Sequence, residues 1–97
     1  MKGFTYILEC SDGTYYVGST IDLEKRITQH QNGQGANHTK KRLPIKLVYY
    51  EEYPQIYQAF NREKQLQGWN RKKKYALING NNDDLPILAL AYRDLRI

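Results

Sequence analysis

Glu63 is a carboxylate in a place where the pattern asks for a hydrocarbon. Between Pro54 and Trp69 the apolar positions are Ile56, Ala59, Phe60 and Leu66, and the helical period leaves Glu63 in the gap one turn after Ala59 and Phe60. A carboxylate on a stripe bound for the core is costly unless it is paired or holds a cation. The ordinary outcome for such a residue is an ion pair with Arg62 or Lys64 and a route to solvent. The alternative is a metal ligand. Arg26 and His30 lie four apart, so on a helix they share a face. Arg26 can hold a phosphate through two parallel hydrogen bonds, and His30 can bond a phosphate or a water. A surface arginine beside a partly buried histidine is the commoner reading of such a pair. Nine of the 97 residues are tyrosine, and Tyr6 and Tyr16 lie on two neighbouring strand-like segments. A phenol with its ordinary pKa of about 10 is a poor base at neutral pH. It becomes useful where cations stabilise the phenolate, although most strand aromatics simply pack.

The elements that must position these groups are readable from local pattern. Phe4 to Glu9 is β-branched and aromatic and predicts a strand. Ser11-Asp12-Gly13-Thr14 is a turn signal, and Tyr15 to Gly18 predicts the returning strand of a hairpin. A two-residue turn at Asp12-Gly13 would pair Glu9 with Tyr16 and put the two tyrosines on opposite faces. Joint action needs the register shifted by one, which a longer loop through Asp12-Gly13-Thr14 can supply. Both hydroxyls are then expected to point toward Arg26 and Glu63. Asp22 is a good N-cap for a helix to about Asn32, with Leu23 and Ile27 on its buried side and Gly33 after its end. Residues 33–44 are polar and basic and predict a loop. Ile45 to Tyr53 predicts a third strand, with Ile45, Leu47 and Tyr49 on one face. Pro54 opens a helix to about Trp69. Arg71 to Asn79 predicts a short helix with Gly80 after it, and Asp84 is the expected cap of a last one that carries Leu85, Leu88, Tyr92 and Leu95 on one side. The whole is an α+β fold, a small sheet flanked by helices, in one domain over residues 1–97.

Charge narrows the partner. Fifteen Lys and Arg stand against ten Asp and Glu, a net +5. Twelve of the fifteen fall into two segments, Lys25, Arg26, Lys40, Lys41, Arg42 and Lys46 in one, Arg62, Lys64, Arg71, Lys72, Lys73 and Lys74 in the other. Such clustering suits a polyanion, most simply nucleic acid, though a solvated basic surface has the same composition. Other chemistries are poorly served. There is no phosphate-cradling Gly-x-x-x-x-Gly-Lys loop, no His-Glu-x-x-His and no cysteine pair for zinc. Nothing specific links Cys10 to His30 as a nucleophile pair. Cys10 has no partner for an internal disulfide, which suits a reducing cytoplasm. The longest apolar stretch, Leu85 to Tyr92, is far below the roughly 20 residues of a membrane-spanning helix, and no segment resembles a signal peptide.

In combination, Phe4-Thr5-Tyr6, Tyr16-Val17-Gly18, Arg26, His30 and Glu63 follow the order and spacing of the GIY-YIG nuclease family. Tyr6-Ile7-Leu8, Asp12-Gly13, Asp22-Leu23, Gly33, Gly35, Leu47-Val48-Tyr49, Glu63-Lys64-Gln65 and Gly68-Trp69 extend the likeness over about residues 4–79. The sequence resembles the small stand-alone bacterial branch, related to the N-terminal domain of an excision-repair nuclease. The resemblance implies a three-stranded antiparallel sheet flanked by helices, and hydrolysis of DNA phosphodiesters with one divalent ion, Mg²⁺ or Mn²⁺, and no organic cofactor. It assigns Tyr6 and Tyr16 to the motif tyrosines, Arg26 to the arginine, His30 to the helix histidine and Glu63 to the metal-binding glutamate. His38 and Asn79 match two further family positions less closely. Products with 5′-phosphate and 3′-hydroxyl ends are implied, as is a role in DNA repair or recombination with structure-selective or weak specificity.

Three departures accompany the likeness. Phe4 replaces the first motif's glycine. Ser19 stands where the repair nuclease has lysine. No second, target-selecting domain is visible. Lys40, Lys41, Arg42, Lys72, Lys73 and Lys74 are the expected phosphate contacts. Two rival readings use the same residues differently. One is a nucleic-acid-binding domain of this fold without catalysis. The other is a protein-interaction domain using the apolar face of Leu85, Leu88, Tyr92 and Leu95.

Overall fold

A computed structural model describes residues 1–80. Three antiparallel strands form a sheet in the order β2-β1-β3, with β1 Gly3–Glu9, β2 Tyr15–Thr20 and β3 Lys46–Tyr53. The helices are α1 Leu23–Gln31, α2 Asn37–Lys40, α3 Ile56–Gln67 and α4 Arg71–Ile78. The predicted α+β class and the three-stranded sheet are both present. The predicted last helix, with Leu85, Leu88, Tyr92 and Leu95, lies outside the described residues.

The hairpin register decides where the tyrosines go. Glu9 pairs with Tyr15 and Leu8 with Tyr16, leaving residues 10–14 as the loop. Backbone bonds from Cys10 N to the Thr14 carbonyl and from Gly13 N to the Cys10 carbonyl close it. Asp12 Oδ1 accepts from the Thr14 N–H at 3.0 Å, and Gly13 takes φ +83°, a conformation that suits glycine. Side chains alternate along a strand. Tyr16, opposite Leu8, therefore shares a face with Leu8 and Tyr6, the one-residue shift that joint action requires.

The sheet is covered on both faces. Ile7 and Val17 of one face pack with Tyr49, Leu66 of α3 and Leu77 of α4. Tyr6 and Leu8 of the other pack with Cys10 and Ile45, against Leu23 and Ile27 of α1. The strand β3 departs from simple alternation. Ile7 pairs with Tyr49 but Leu8 with Leu47, so Val48 is an extra residue at a bulge. Tyr49 thus turns to the α3 face while Ile45 and Leu47 stay on the α1 face, correcting the single face expected for all three.

Helix boundaries follow side-chain caps. Asp22 Oδ1 accepts from the Lys25 N–H at 3.0 Å at the start of α1. Helix α3 begins two residues after Pro54, where Gln58 accepts from the Gln55 N–H and the Met1 carbonyl accepts from the Ile56 N–H. The predicted loop over 33–44 contains the one-turn helix α2. Four residues carry no readable period, and Thr39 is held there by contacts from outside the turn. Phe60, placed on the buried stripe of α3 from sequence, is 48% exposed. The buried spacing runs instead through Ile56, Ala59, Glu63 and Leu66, three or four residues apart, so Phe60 falls on the outer side.

Candidate active site

The edge strand β2 carries the site. Tyr6 lies opposite Gly18, and a Cβ at Gly18 would run into the Tyr6 hydroxyl. The missing side chain lets a phenol on the central strand reach the sheet's edge. Tyr6 is 1% exposed, and its hydroxyl is hydrogen-bonded to His30 Nε2 at 2.9 Å. His30 is fully buried, and its Nδ1 is bonded to Thr39 Oγ1 at 2.8 Å. The sequence leaves His30 free to meet a phosphate or a water, and the fold gives it the Tyr6 hydroxyl instead. A Cβ at Gly35 would collide with His30 Nδ1, so this glycine too is a condition of the cluster. Tyr16 packs beside both, its ring centroid 6.5 Å from Tyr6 and 5.3 Å from His30.

Arg26, one turn before His30 on α1, bonds Gln29 Oε1 at 3.2 Å and lies beside both phenols. Burial pushes the Tyr6 hydroxyl up to about 12 against the lowering effect of Arg26. Burial raises Tyr16 as well, again opposed by Arg26. Burial, helped by the Arg26 charge, lowers His30 to about 4, so the imidazole is neutral at pH 7.

Glu63 approaches the same edge from α3, on the opposite face of the sheet. Its Oε1 accepts from the Ser19 hydroxyl at 2.5 Å and its Oε2 from the Gln67 amide at 2.9 Å. Both donors are neutral. The neighbours that could have cancelled its charge are engaged elsewhere. Arg62 donates through Nε and Nη2 to Glu51, at 3.0 and 3.2 Å, while Lys64 lies over the Phe60 ring. Glu51 is the sealed carboxylate, 3% exposed and also bonded by the Tyr49 and Tyr53 hydroxyls. The half-buried Glu63 lies near enough to the tyrosines to contribute to raising both. Among the described residues no group of three or more His, Cys, Asp or Glu could enclose a metal. A half-buried carboxylate bonded by a hydroxyl and an amide, as Glu63 is, has the donor chemistry that suits a hard cation taking one protein oxygen ligand and retaining several waters.

The remaining residues separate. His38 Nε2 is bonded to Thr14 Oγ1 at 2.9 Å, and its ring stacks on Tyr16 at 6.3 Å, so it borders the cluster. Asn79 caps α4 and donates to the Tyr75 carbonyl of its own helix, with no bond to the cluster among the described residues. Lys40, Lys41, Lys72 and Lys73 are exposed, with Lys73 over the Trp69 ring. Arg42 is tied to Asp12 at 2.9 Å and to the His38 carbonyl, and Lys74 is half-buried beside Thr14, Tyr15 and Arg71. No helix among the described residues is long and apolar enough to cross a membrane.

Four contributors escaped the sequence: Thr39, Gly18 as the opening for Tyr6, Ser19 as a bond to Glu63, and Gln67. Gly18 and Ser19 stand in or beside a motif that does not reveal these roles, and Gln67 stands four residues after Glu63 on one helix.

The family model described as "GIY-YIG catalytic domain" matches residues 2–76. A UPF0213 protein of Staphylococcus saprophyticus is 45% identical over 78 residues, covering 80% of this chain and 95% of that protein. Another, from Streptococcus pneumoniae, is 38% identical over 82 residues, covering 84% and 83%. The solution NMR structure of a UPF0213 protein from Bacillus halodurans superposes with a TM-score of 0.54 at 38% identity, covering 81% of this chain and 84% of that one.

Proposed function

The chain belongs to the GIY-YIG family, and from that premise we propose that it is an endonuclease that hydrolyses DNA phosphodiester bonds with the help of one divalent ion. The observation that carries this reading is the state of Glu63. It is a half-buried carboxylate bonded only by neutral donors, on the same sheet edge as an arginine and two phenols. A surface meant only to bind DNA has no use for such a charge, which repels phosphate.

Glu63 would hold Mg²⁺ or Mn²⁺ by one carboxylate. When bound, the ion supplies charge neutralisation at the scissile phosphate and the leaving oxygen. Arg26 faces the same phosphate and offsets the negative charge that grows on phosphorus. Tyr16 is the phenol assigned to accept the proton of the attacking water. Its hydroxyl is half-buried beside Arg26, whereas Tyr6 is enclosed and bonded to His30. A phenol at about 12 is ionised in only about one molecule in 100,000 at pH 7, which argues against Tyr6 as the base. With Tyr16 as the phenolate, water oxygen bonds to phosphorus as its proton passes to Tyr16, the P–O3′ bond breaks, and the departing O3′ oxyanion takes a proton from solvent water, leaving 5′-phosphate and 3′-hydroxyl ends. His30 and Tyr6 hold Arg26 and Tyr16 in place. His38 supports the Tyr16 ring, and Asn79 has no assigned step.

Lys40, Lys41, Lys72 and Lys73 would meet phosphates, giving salt-sensitive and weakly specific or structure-selective binding, suited to DNA repair or recombination in the cytoplasm. The second reading is a DNA-binding domain without catalysis. The raised pKa of both phenols favours it, since neither is a ready base at rest. Titrating Mg²⁺ and Mn²⁺ against cleavage of branched, nicked and single-stranded DNA separates the two. Metal-dependent nicking supports the enzyme. Binding with no cleavage under any metal overturns it.

A further inference from the structure

His30 is fully buried with both ring nitrogens bonded, so the nitrogen that carries its hydrogen decides what its neighbours can do. We infer that Thr39 is a positioning residue that fixes this choice. Its hydroxyl donates to the Ala36 carbonyl and accepts from His30 Nδ1–H, leaving Nε2 to accept from the Tyr6 hydroxyl. The inference deepens the nuclease reading and rests on it only for the consequence for cleavage.

The direction is fixed from one end by arithmetic. A threonine hydroxyl has one hydrogen. Thr39 Oγ1 lies 3.0 Å from the Ala36 carbonyl oxygen, an acceptor only, whose other bond is from the Lys40 N–H. Giving the hydrogen to His30 instead would leave two oxygen lone pairs facing each other at that distance. Nδ1 must therefore be the donor toward Thr39. A neutral imidazole with hydrogen on Nδ1 has none on Nε2, so Tyr6 must donate to it.

The other end agrees. With its hydrogen committed to His30, the Tyr6 oxygen presents lone pairs to its surroundings. The group beside it is the guanidinium of Arg26, which has donors and no acceptor. The opposite tautomer would turn the Tyr6 hydrogen toward that guanidinium, donor against donor. All the bonds thus run one way, from Arg26 through Tyr6, His30 and Thr39 to the Ala36 carbonyl. Thr39 sits on the one-turn helix α2 beside His38, away from the strands and helices that carry Tyr6, Tyr16, Arg26, His30 and Glu63. Gly35 closes the ring's edge at Nδ1, so the hydroxyl rather than a displacing side chain meets that nitrogen.

The test reads the tautomer directly, without substrate. In protein labelled with ¹⁵N at histidine, long-range ¹H–¹⁵N spectra at pH 7 distinguish protonated from bare ring nitrogens, and a His38→Gln variant assigns the two histidines. The wild type should show His30 with hydrogen on Nδ1. Thr39→Val should shift it to Nε2–H or to a mixture, and Thr39→Ser should restore the wild-type pattern. Wild-type His30 with hydrogen on Nε2, or a Thr39→Val pattern unchanged from wild type, overturns the inference. The wild-type spectrum alone decides the first point even if Thr39→Val does not fold. A Nδ1–H His30 in a protein that cuts no DNA would support the tautomer and overturn only the nuclease reading. In an active protein, Thr39→Val should lower kcat about tenfold or more with KM little changed, and Thr39→Ser should recover it.

Discussion

The Tyr6 hydroxyl occupies the space into which a side chain at Gly18, its cross-strand partner, would project. Glycine at this position in β2 is thus a packing requirement of the site rather than a turn device. Gly18→Ala should displace the Tyr6 ring, break its bond to His30 and cost about 1–3 kcal/mol, the usual range for overpacking. Urea unfolding and DNA cleavage measured on the same preparation check this. Unchanged stability with full activity would show that Tyr6 does not need that opening.

His30 gives stability a pH signature. Its folded pKa, about 4, lies below the ordinary 6.5, so between these values the unfolded chain binds a proton that the folded one excludes. Stability from the neutral imidazole is complete above pH 6.5 and is lost as pH falls toward 4, by up to about 1.4 kcal/mol per pH unit. Asp12, lowered to about 2 chiefly by its bonds from Thr14, acts at more acid pH, from about 3.8 downward. Unfolding free energies at pH 7, 6 and 5 should therefore fall in the wild type and flatten in His30→Gln. An identical slope in the variant would contradict the assignment.

The exposed lysines should act on binding and not on chemistry. Replacing Lys40, Lys41 and Lys72 by glutamine should weaken DNA binding uniformly across sequences. The slope of log affinity against log salt should drop by about 0.9 for each lysine that meets a phosphate. Arg42, already paired with Asp12, should contribute less. Salt titrations of binding to two unrelated duplexes test this, and a loss confined to one sequence would point to base contacts instead.

Legibility in the sequence followed the range of the interactions. The strands, the Asp22 cap and the shared face of Arg26 and His30 are written in local pattern, and local structure obeys them. The oddness of Glu63 was also legible, because the core stripe of α3 runs through it. The pairing of Arg62 with Glu51 was not, since it joins a strand and a helix across 11 residues and no period links them. The bulge at Val48 hid the turn of Tyr49 to the other face. Thr39 was invisible for a different reason. It lies in a polar segment whose one-turn helix has no signature, and its role exists only once His30 is folded against it.

Glu63, in no ion pair among the described residues, is the group on which the metal-dependent step depends in the nuclease reading. Glu63→Gln keeps the size of the side chain and removes its charge. Single-turnover cleavage at saturating protein and Mg²⁺, with affinity for the same DNA measured in parallel, isolates that change. Binding should be largely unchanged and cleavage reduced by about a hundredfold or more, equivalent to ~2.7 kcal/mol in the barrier. Cleavage by Glu63→Gln at the wild-type rate would contradict that dependence.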